Sequence, residues 1–438
     1  MLLFVAPYFG LVHYDLSKVH TKYSILFATI IMFPAVVRQR SSGSLPFILT
    51  RSLATEHVSS PLPDLPLVPP QKYPQRTTKP RLYPHPRTAE HNQNSTLPKL
   101  PPRFGRNQLL PVSSSTRALL ESIVDRFDAP IRYAFAYGSG VFEQDGYAAS
   151  SSAEALVGPG APMLDFMFAV THPAHFHSIN MHQNPSHYPL HARTLGSSYV
   201  SKIGEIGPGV WFNAYVPVNG VVCPVKSSFE LPHPLTLLSQ MIKYGVTTVD
   251  NLCSDLLNWR TLYLAGRMHK PLRIIKDDAR VRLTQQVNLT SAIRAALLTL
   301  PEEFSEVELF ERIAGISYTG DPRMMLPAEN RGKVGNIVRK QSPQFKELYH
   351  RLVVGLPGVH WPVQLTTIKQ DVSPRARSAH LKKLPSNLLA GVKNSYASNP
   401  ELEADEAAYW VKLAGDERLP SVLSAGLFLI VNFILLQV

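Results

Sequence analysis

Two cysteines, Cys223 and Cys253, are all the thiols in 438 residues, and they are not spaced as a CxxC pair. That scarcity excludes a disulfide-stapled scaffold and a thiolate zinc site. Long apolar runs are missing too. The two near the start, Met1–Val12 and Tyr23–Val37, are bounded or interrupted by Pro7, His13 and Pro34, and each falls short of the ~20 residues a helix needs to cross a bilayer. The closing run GLFLIVNFILLQV, at thirteen residues, is also too short. Acids are in deficit, 32 Asp+Glu against 44 Lys+Arg, giving a net charge of +12. A basic balance raises nucleic acid as a partner, but residues 1–106 hold 13 Lys/Arg against 4 Asp/Glu and the rest of the chain carries only +3. No basic stripe interleaved with aromatics stands out, so no nucleic-acid partner is expected.

What is present begins with a leader. From Met32 to Ala54 the chain has three arginines, several serines and no acid, the composition of a mitochondrial transit peptide, and 1–55 is read as the leader. Residues 56–110 contain twelve prolines and little periodicity. Such a stretch buries too little apolar surface to offset its ordering entropy and reads as a disordered linker.

The organising stretch runs from Tyr133 to Val170. A β-type run, Ala134 to Tyr137, is broken by Gly138-Ser139-Gly140, and a second, Leu164 to Val170, carries one carboxylate, Asp165, among apolar neighbours. Glycines let backbone amides approach phosphate oxygens, Ser139 adds a hydroxyl, and Asp165 is placed to hold Mg²⁺. This is the layout of a nucleotidyltransferase. General members of that class carry Asp-x-Asp on the acid strand, whereas Met167 stands here in the second place. A second metal ligand would come from elsewhere, with Glu143, Asp145 and Asp255 as candidates. Before the glycine turn, Ser114-Ser115-Thr116 offers caps to a helix with Leu119, Leu120, Ile123, Val124 and Phe127 on one face.

After the acid strand, six histidines fall between His172 and His191. A metal site is the sharp reading and solvated loop histidines the bland one, since three or four ligands in fixed geometry are required. Lys243, on a strand in IKYGV, is expected to neutralise triphosphate charge. Asp255 to Lys270 reads as one amphipathic helix with Leu256, Trp259, Leu262 and Tyr263 inward. Arg267 and Lys270 near its end either complement the helix dipole or hold phosphate. A helix pattern over Gln285–Leu300 and a capping box at Ser305-x-x-Glu308 follow.

These blocks resemble the mitochondrial phosphatidate cytidylyltransferases, also named translocator assembly and maintenance proteins. The resemblance runs through YGSGVF at Tyr137–Phe142, MLDFMFAV at Met163–Val170 and the histidine-asparagine stretch at Pro173–Tyr188. It continues through IKYGV, DLLNWRTLYLAGRMHKP at Asp255–Pro271, FSEVELFERIAGISYTGDPRM at Phe304–Met324 and KVGNIV at Lys333–Val338. In that family the place of Met167 is also apolar. The resemblance selects His177, Asn180, Asn184, His187 and Tyr188 as substrate-orienting candidates, adds Asp321 and Arg323, and marks 223–240 as an insertion.

The resulting expectation is an α/β chain. A nucleotidyltransferase-like core at 111–275 is followed by a winged-helix-like domain at 276–375 and a C-terminal helical segment at 376–438 with an atypical apolar tail that either inserts shallowly at an interface or aggregates. The resemblance implies transfer of cytidylyl from CTP to phosphatidate with Mg²⁺, for phosphatidylglycerol and cardiolipin synthesis. The enzyme would sit peripherally on the matrix side of the mitochondrial inner membrane. Asp165 and Lys243 are the expected catalytic residues, and Gly138, Ser139, Gly140, Arg267 and Lys270 the expected phosphate ligands. The competing readings are a nucleotidyltransferase acting on RNA or protein, and a non-catalytic assembly factor for the import machinery.

Overall fold

The computed structural model describes residues 100–142, 162–221, 238–319, 332–396 and 406–433. Helix α1 (Ser114–Val124) is capped by Ser113, one residue before the expected caps, whose hydroxyl accepts from Thr116 N at 3.1 Å. It buries Leu119, Leu120, Ile123 and Val124 against a five-stranded mixed sheet. The strands are β1 (Tyr133–Tyr137), β2 (Leu164–Val170), β3 (Trp211–Val221), β4 (Leu238–Thr248) and β5 (Arg273–Lys276), in the order β3-β4-β2-β1-β5. Only the β2/β4 pair is parallel; the other neighbours are antiparallel.

Alternation along the strands divides the sheet's side chains into two sets. Ala134, Ala136, Phe166, Phe168, Ile242, Tyr244 and Val246 pack with α1 and with Phe176 of α2 (Pro173–Gln183). On the other face Tyr133, Phe135, Met167 and Ala169 pack with α4 (Val249–Asn258) and α6 (Ala279–Leu297). Between α2 and β3 lies α3 (Leu190–Gly204), kinked where Gly196 adopts φ 83°, ψ 176°.

The core on the second face continues without a break into the rest of the chain. It takes in Leu309 and Phe310 of α7 (Glu306–Gly315) and Phe345 and Tyr349 of α8 (Lys333–Val354). A small sheet of β6 (Glu303–Ser305), β7 (Val359–His360) and β8 (Thr367–Gln370), in the order β6-β8-β7, borders these helices. The capping box at α7 is formed, with Ser305 and Glu308 bonding reciprocally. The chain ends in α9 (Pro374–Leu381), α10 (Ser386–Tyr396), α11 (Glu406–Ala414) and α12 (Leu419–Phe433). The apolar tail is therefore not simply exposed: Leu419, Leu423, Leu427 and Ile430 join the core, and Gly391 of α10 meets Gly426 of α12, where a Cβ on Gly391 would lie 3.7 Å from the Gly426 Cα. Part of the expected linker is also anchored, since Asn107 Nδ2 donates to Leu348 O at 2.8 Å and Gln108 Nε2 to Gln286 Oε1 at 2.7 Å.

The expected single helix Asp255–Lys270 is broken. α4 stops at Asn258, Trp259 and Leu262 take left-handed φ values of 52° and 57°, and a short helix α5 (Tyr263–Arg267) follows. Two non-glycine residues in that region are held there only if their surroundings fix them. The agent is Asp255, fully buried. Its Oδ1 accepts from Thr261 N at 2.7 Å, Thr261 Oγ1 at 3.1 Å and Leu262 N at 3.2 Å, and its Oδ2 from Leu264 N and Ala265 N at 3.0 Å each. A carboxylate with five donors has no call for a metal ion, so Asp255 is withdrawn as a second metal ligand. Glu143 and Asp145 lie outside the described residues. Asp255→Ala strands four buried amides and is expected to cost roughly 3 kcal/mol or more, read as a lower urea midpoint; an unchanged midpoint would show that the bend forms without its acid.

Candidate active site

The strand register sets three side chains in one row. Tyr137 of β1 pairs with Asp165 of β2, and Asp165 pairs with Lys243 of β4. Lys243 Nζ stands 3.9 Å from Asp165 Oδ1, and the two side chains remain 31% and 27% exposed. Directly after Tyr137 the Gly-Ser-Gly turn passes over the acid. Gly138 has φ 87°, and a Cβ there would lie 3.4 Å from Asp165 Oδ2; a Cβ on Gly140 would come within 2.8 Å of Leu164. Glycine is thus required once for its conformation and once for close approach. The turn closes through Val141 and Phe142 N–H to Gly138 O, both 3.1 Å. Among the described residues no backbone carbonyl takes the amides of Ser139 or Gly140, which suits them to a phosphate oxygen.

Above this row sits α5. The Arg267 guanidinium stacks 3.9 Å from the Tyr263 ring centroid and 5.6 Å from that of Tyr137. It donates to the Tyr263 hydroxyl at 2.9 Å and carbonyl at 3.2 Å, and to Tyr137 Oη at 3.4 Å. Lys243 Nζ in turn lies 4.9 Å over the ring of Phe212 on β3. Phe212 can lean in because its cross-strand partner is Gly245, where a Cβ would meet it at 2.8 Å. Lys270 Nζ donates to Gly266 O at 2.9 Å and Ser317 Oγ at 2.7 Å and lies over Tyr318. Burial, with Arg267 and Lys333 near, pushes its ammonium down to about 7. Burial raises the Asp165 carboxyl above its usual range, and Lys243 and Arg267 partly offset that. The arrangement is one accessible acid ringed by cations fixed on aromatic rings, beside a glycine turn with open amides. It can accept a hard cation and a polyanion together.

Of the sequence candidates, Gly138, Ser139, Gly140, Asp165, Lys243 and Arg267 meet here, and Lys270 stands one turn beyond Arg267. Asp321 and Arg323 lie outside the described residues. His177, Asn180, Asn184, His187 and Tyr188 do not reach this face: they build a network around Tyr244, which points to the opposite side of β4 from Lys243. Asn180 Nδ2 donates to the hydroxyls of Tyr188 at 2.9 Å and Tyr244 at 2.8 Å, while His177 Nδ1 and His187 Nδ1 meet those same hydroxyls at 2.8 and 2.9 Å. Asn184 Nδ2 completes the set by donating to Asn180 Oδ1 at 3.0 Å. Asn180 thus supplies a proton to each phenol oxygen, and each phenol shares a further hydrogen bond with a histidine Nδ1. Among the described residues no cluster of His, Cys, Asp or Glu forms a metal site. Sequence reasoning missed Tyr137, Phe212 and Tyr263 as supports of the cations. The i, i+4 spacing of Tyr263 and Arg267 was a readable signal; Phe212 gave none, because its place depends on the β3/β4 register.

A cavity of about 290 Å³ lies elsewhere, lined by Thr299, Glu308, Arg312, Gly315, Ser424 and Leu427 among others. None of the candidate residues lines it.

The comparisons with known proteins bear on this arrangement. A family model described as "Phosphatidate cytidylyltransferase, mitochondrial" matches residues 120–436. The chain is 37% identical over 307 residues to the protein of that name from Saccharomyces cerevisiae, covering 68% of this chain and 72% of the relative. To the Xenopus laevis protein it is 36% identical over 326 residues, covering 74% and 88%. To the Homo sapiens protein it is 35% identical over 321 residues, covering 73% and 64%.

Burial pushes the His177 and His187 imidazoles down to about 4. The unfolded chain therefore binds more protons than the folded one below about pH 6.5, and stability falls as pH drops from there toward 4. For His177 this amounts to about 2 kcal/mol between pH 7.5 and 5. His177→Gln is expected to shrink the pH-dependent loss by that much in urea titrations at the two pH values; an unchanged loss would mean the acid sensitivity lies elsewhere.

Proposed function

The chain belongs to the mitochondrial phosphatidate cytidylyltransferase family, and on that premise we propose that the Asp165 face is where its reaction takes place. The enzyme transfers cytidylyl from CTP to phosphatidate, giving CDP-diacylglycerol and pyrophosphate. A phosphate oxygen of phosphatidate attacks the α-phosphorus of CTP, a new P–O bond forms, and the bond to the β-phosphate oxygen breaks with pyrophosphate leaving in line. The nucleophile is already an anion, so the protein's task is positioning and charge neutralisation rather than proton removal. The open amides of Ser139 and Gly140 cradle phosphate oxygens beside Asp165. Lys243 and Arg267, each fixed on an aromatic ring, face the charge that builds on the transferring and departing groups. Lys270, farther along the same segment, neutralises the outer phosphates.

Asp165 fits a hard divalent cation: it is an accessible oxygen donor, and among the described residues the one ion-pair partner within 4 Å is Lys243. Asp165 would hold Mg²⁺ there, and the ion would supply electrostatic withdrawal of charge from the nucleotide's phosphates. The observation that carries this reading is the Tyr137–Asp165–Lys243 row beneath the Gly-Ser-Gly turn.

The order α6-β6-α7-α8-β7-β8, with β6 paired to β8 and a β7–β8 hairpin, supports a winged-helix-like second unit, and the main sheet supports a nucleotidyltransferase-like core. Peripheral work on the matrix side of the inner membrane is part of this proposal: the lipid substrate resides in a bilayer, and among the described residues no helix is long and apolar enough to cross one. The product then feeds phosphatidylglycerol and cardiolipin synthesis.

With labelled CTP, Mg²⁺ and phosphatidate, Asp165→Asn is expected to lower kcat roughly 10²–10³-fold at unchanged fold; wild-type turnover by that variant would remove Asp165 from the chemistry. Because Lys270 loses its proton as pH rises through about 7, KM for CTP is expected to rise from pH 6.5 to 8. Lys270→Arg, charged throughout, should flatten that rise; parallel profiles would take Lys270 out of nucleotide binding.

A further inference from the structure

α3 sets large aliphatics and cations side by side in solvent over one short stretch. All four large aliphatics of α1 are buried, whereas α3 buries Ala192 and Val200 against its neighbours and leaves Leu190 72%, Leu195 58% and Ile203 39% exposed, with Ile206 just beyond it at 48%. His191, Arg193 and Lys202 stand exposed among them, with Glu205 as the one acid from Leu190 to Ile206. Single exposed leucines are ordinary; several large aliphatics interleaved with cations on one short element form the pattern of a helix lying at a membrane surface. The Gly196 kink splits the element into two short segments, and at that glycine a Cβ would have nothing within 4 Å. The glycine thus serves the bend rather than a tight contact.

We propose that the exposed face of α3 is a docking surface for a bilayer carrying anionic lipid. The inference rests on the reading that the enzyme meets its membrane peripherally. Charge complementarity selects the occupant: the lipid substrate is itself an anion anchored in the bilayer, and Arg193 and Lys202 offer cations between side chains able to enter the acyl boundary. α3 packs beside β3, an edge strand of the sheet, against Tyr188 and Trp211 on the side away from Lys243, so a bilayer met there leaves the Asp165–Lys243 face uncovered. β3 also exposes Tyr215, 75% accessible with φ 56°, an aromatic suited to the headgroup layer.

The test uses the full chain, flotation with phosphatidylcholine vesicles with and without phosphatidate, and turnover of CTP with either vesicle-borne or water-soluble short-chain phosphatidate. Two variants are compared with wild type, Leu190→Asp/Leu195→Asp and Arg193→Glu/Lys202→Glu. Each is expected to bind phosphatidate vesicles roughly tenfold more weakly and to lose vesicle-borne turnover in proportion, while short-chain turnover stays at the wild-type rate. Wild-type vesicle binding by both variants would overturn the proposal. So would loss of short-chain turnover in a folded variant, which would place the face in catalysis rather than docking. A concentration-dependent dimer in light scattering that only the variants lose, with vesicle binding intact, would make the face a protein interface and overturn it too. Wild-type protein that turns over short-chain substrate but ignores vesicles sinks this inference alone, whereas inactivity on both substrates sinks the functional reading.

Discussion

The carboxylate of Asp255 is the constraint on which the site depends. It is buried and accepts four backbone amides and a hydroxyl from Thr261 to Ala265, groups that a continuing helix would have bonded to its own carbonyls. By taking them it ends α4 and restarts the chain in a new direction as α5. It also holds Trp259 and Leu262 in left-handed conformations that cost about 1–3 kcal/mol each. The redirected segment is bolted down behind: Asn288 Oδ1 accepts from Trp259 Nε1 at 2.8 Å and Nδ2 donates to Ala265 O at 3.1 Å, while Tyr349 Oη donates to His269 O at 2.7 Å. A fixed backbone there fixes Tyr263 and Arg267, and so where positive charge stands over Asp165.

The sheet supplies the other half of the geometry. Parallel pairing of β2 with β4 brings Asp165 and Lys243 level, and antiparallel pairing of β1 ends that strand at the same row, so the glycine turn must leave across the acid. The opposite face carries the Asn180 network, whose polar atoms satisfy one another at depth. Fully paired buried networks fix a single packing, and this one fixes how α2 and the Pro185–His187 turn sit on Tyr244. Strand alternation thus separates the Asp165–Lys243 face from the one that carries the Asn180 network, although the two sets of residues are interleaved in the sequence.

That interleaving explains what was legible. The apolar strands, the glycine turn, the lone acid and the Ser305–Glu308 capping box are local patterns, and the structure has each of them. The amphipathic reading of Asp255–Lys270 failed because hydrophobic spacing is blind to a buried acid that competes for amides. Periodicity gave Leu256, Trp259 and Leu262 correctly as inward on the wrong backbone, while Tyr263, also expected inward, is only half-buried and lies under Arg267. The histidines and asparagines after Pro173 matched the family block by block, yet a match in sequence does not say which side of a strand a residue faces; only the pairing of Tyr244 beside Lys243 does. Phe212 was unreadable for the same reason, its role arising from a cross-strand glycine far along the chain.

The same packing accounts for the missing second acid. Met167, two residues beyond Asp165 on the same face, is wholly buried among Phe135, Leu256 and their neighbours, and its sulfur presses on Gly245, where an added Cβ would lie 2.8 Å away. A carboxylate in that position would be stripped of water with no cation held against it, at a cost far above what the fold can absorb. Asp165 escapes this because it stands at the end of the row, where Lys243 and the glycine turn leave it partly solvated. With one acid set against Lys243 and Arg267, and with Lys270 adding charge only below about pH 7, the site carries a surplus of positive charge among the described residues. A surplus of that kind favours an anionic ligand.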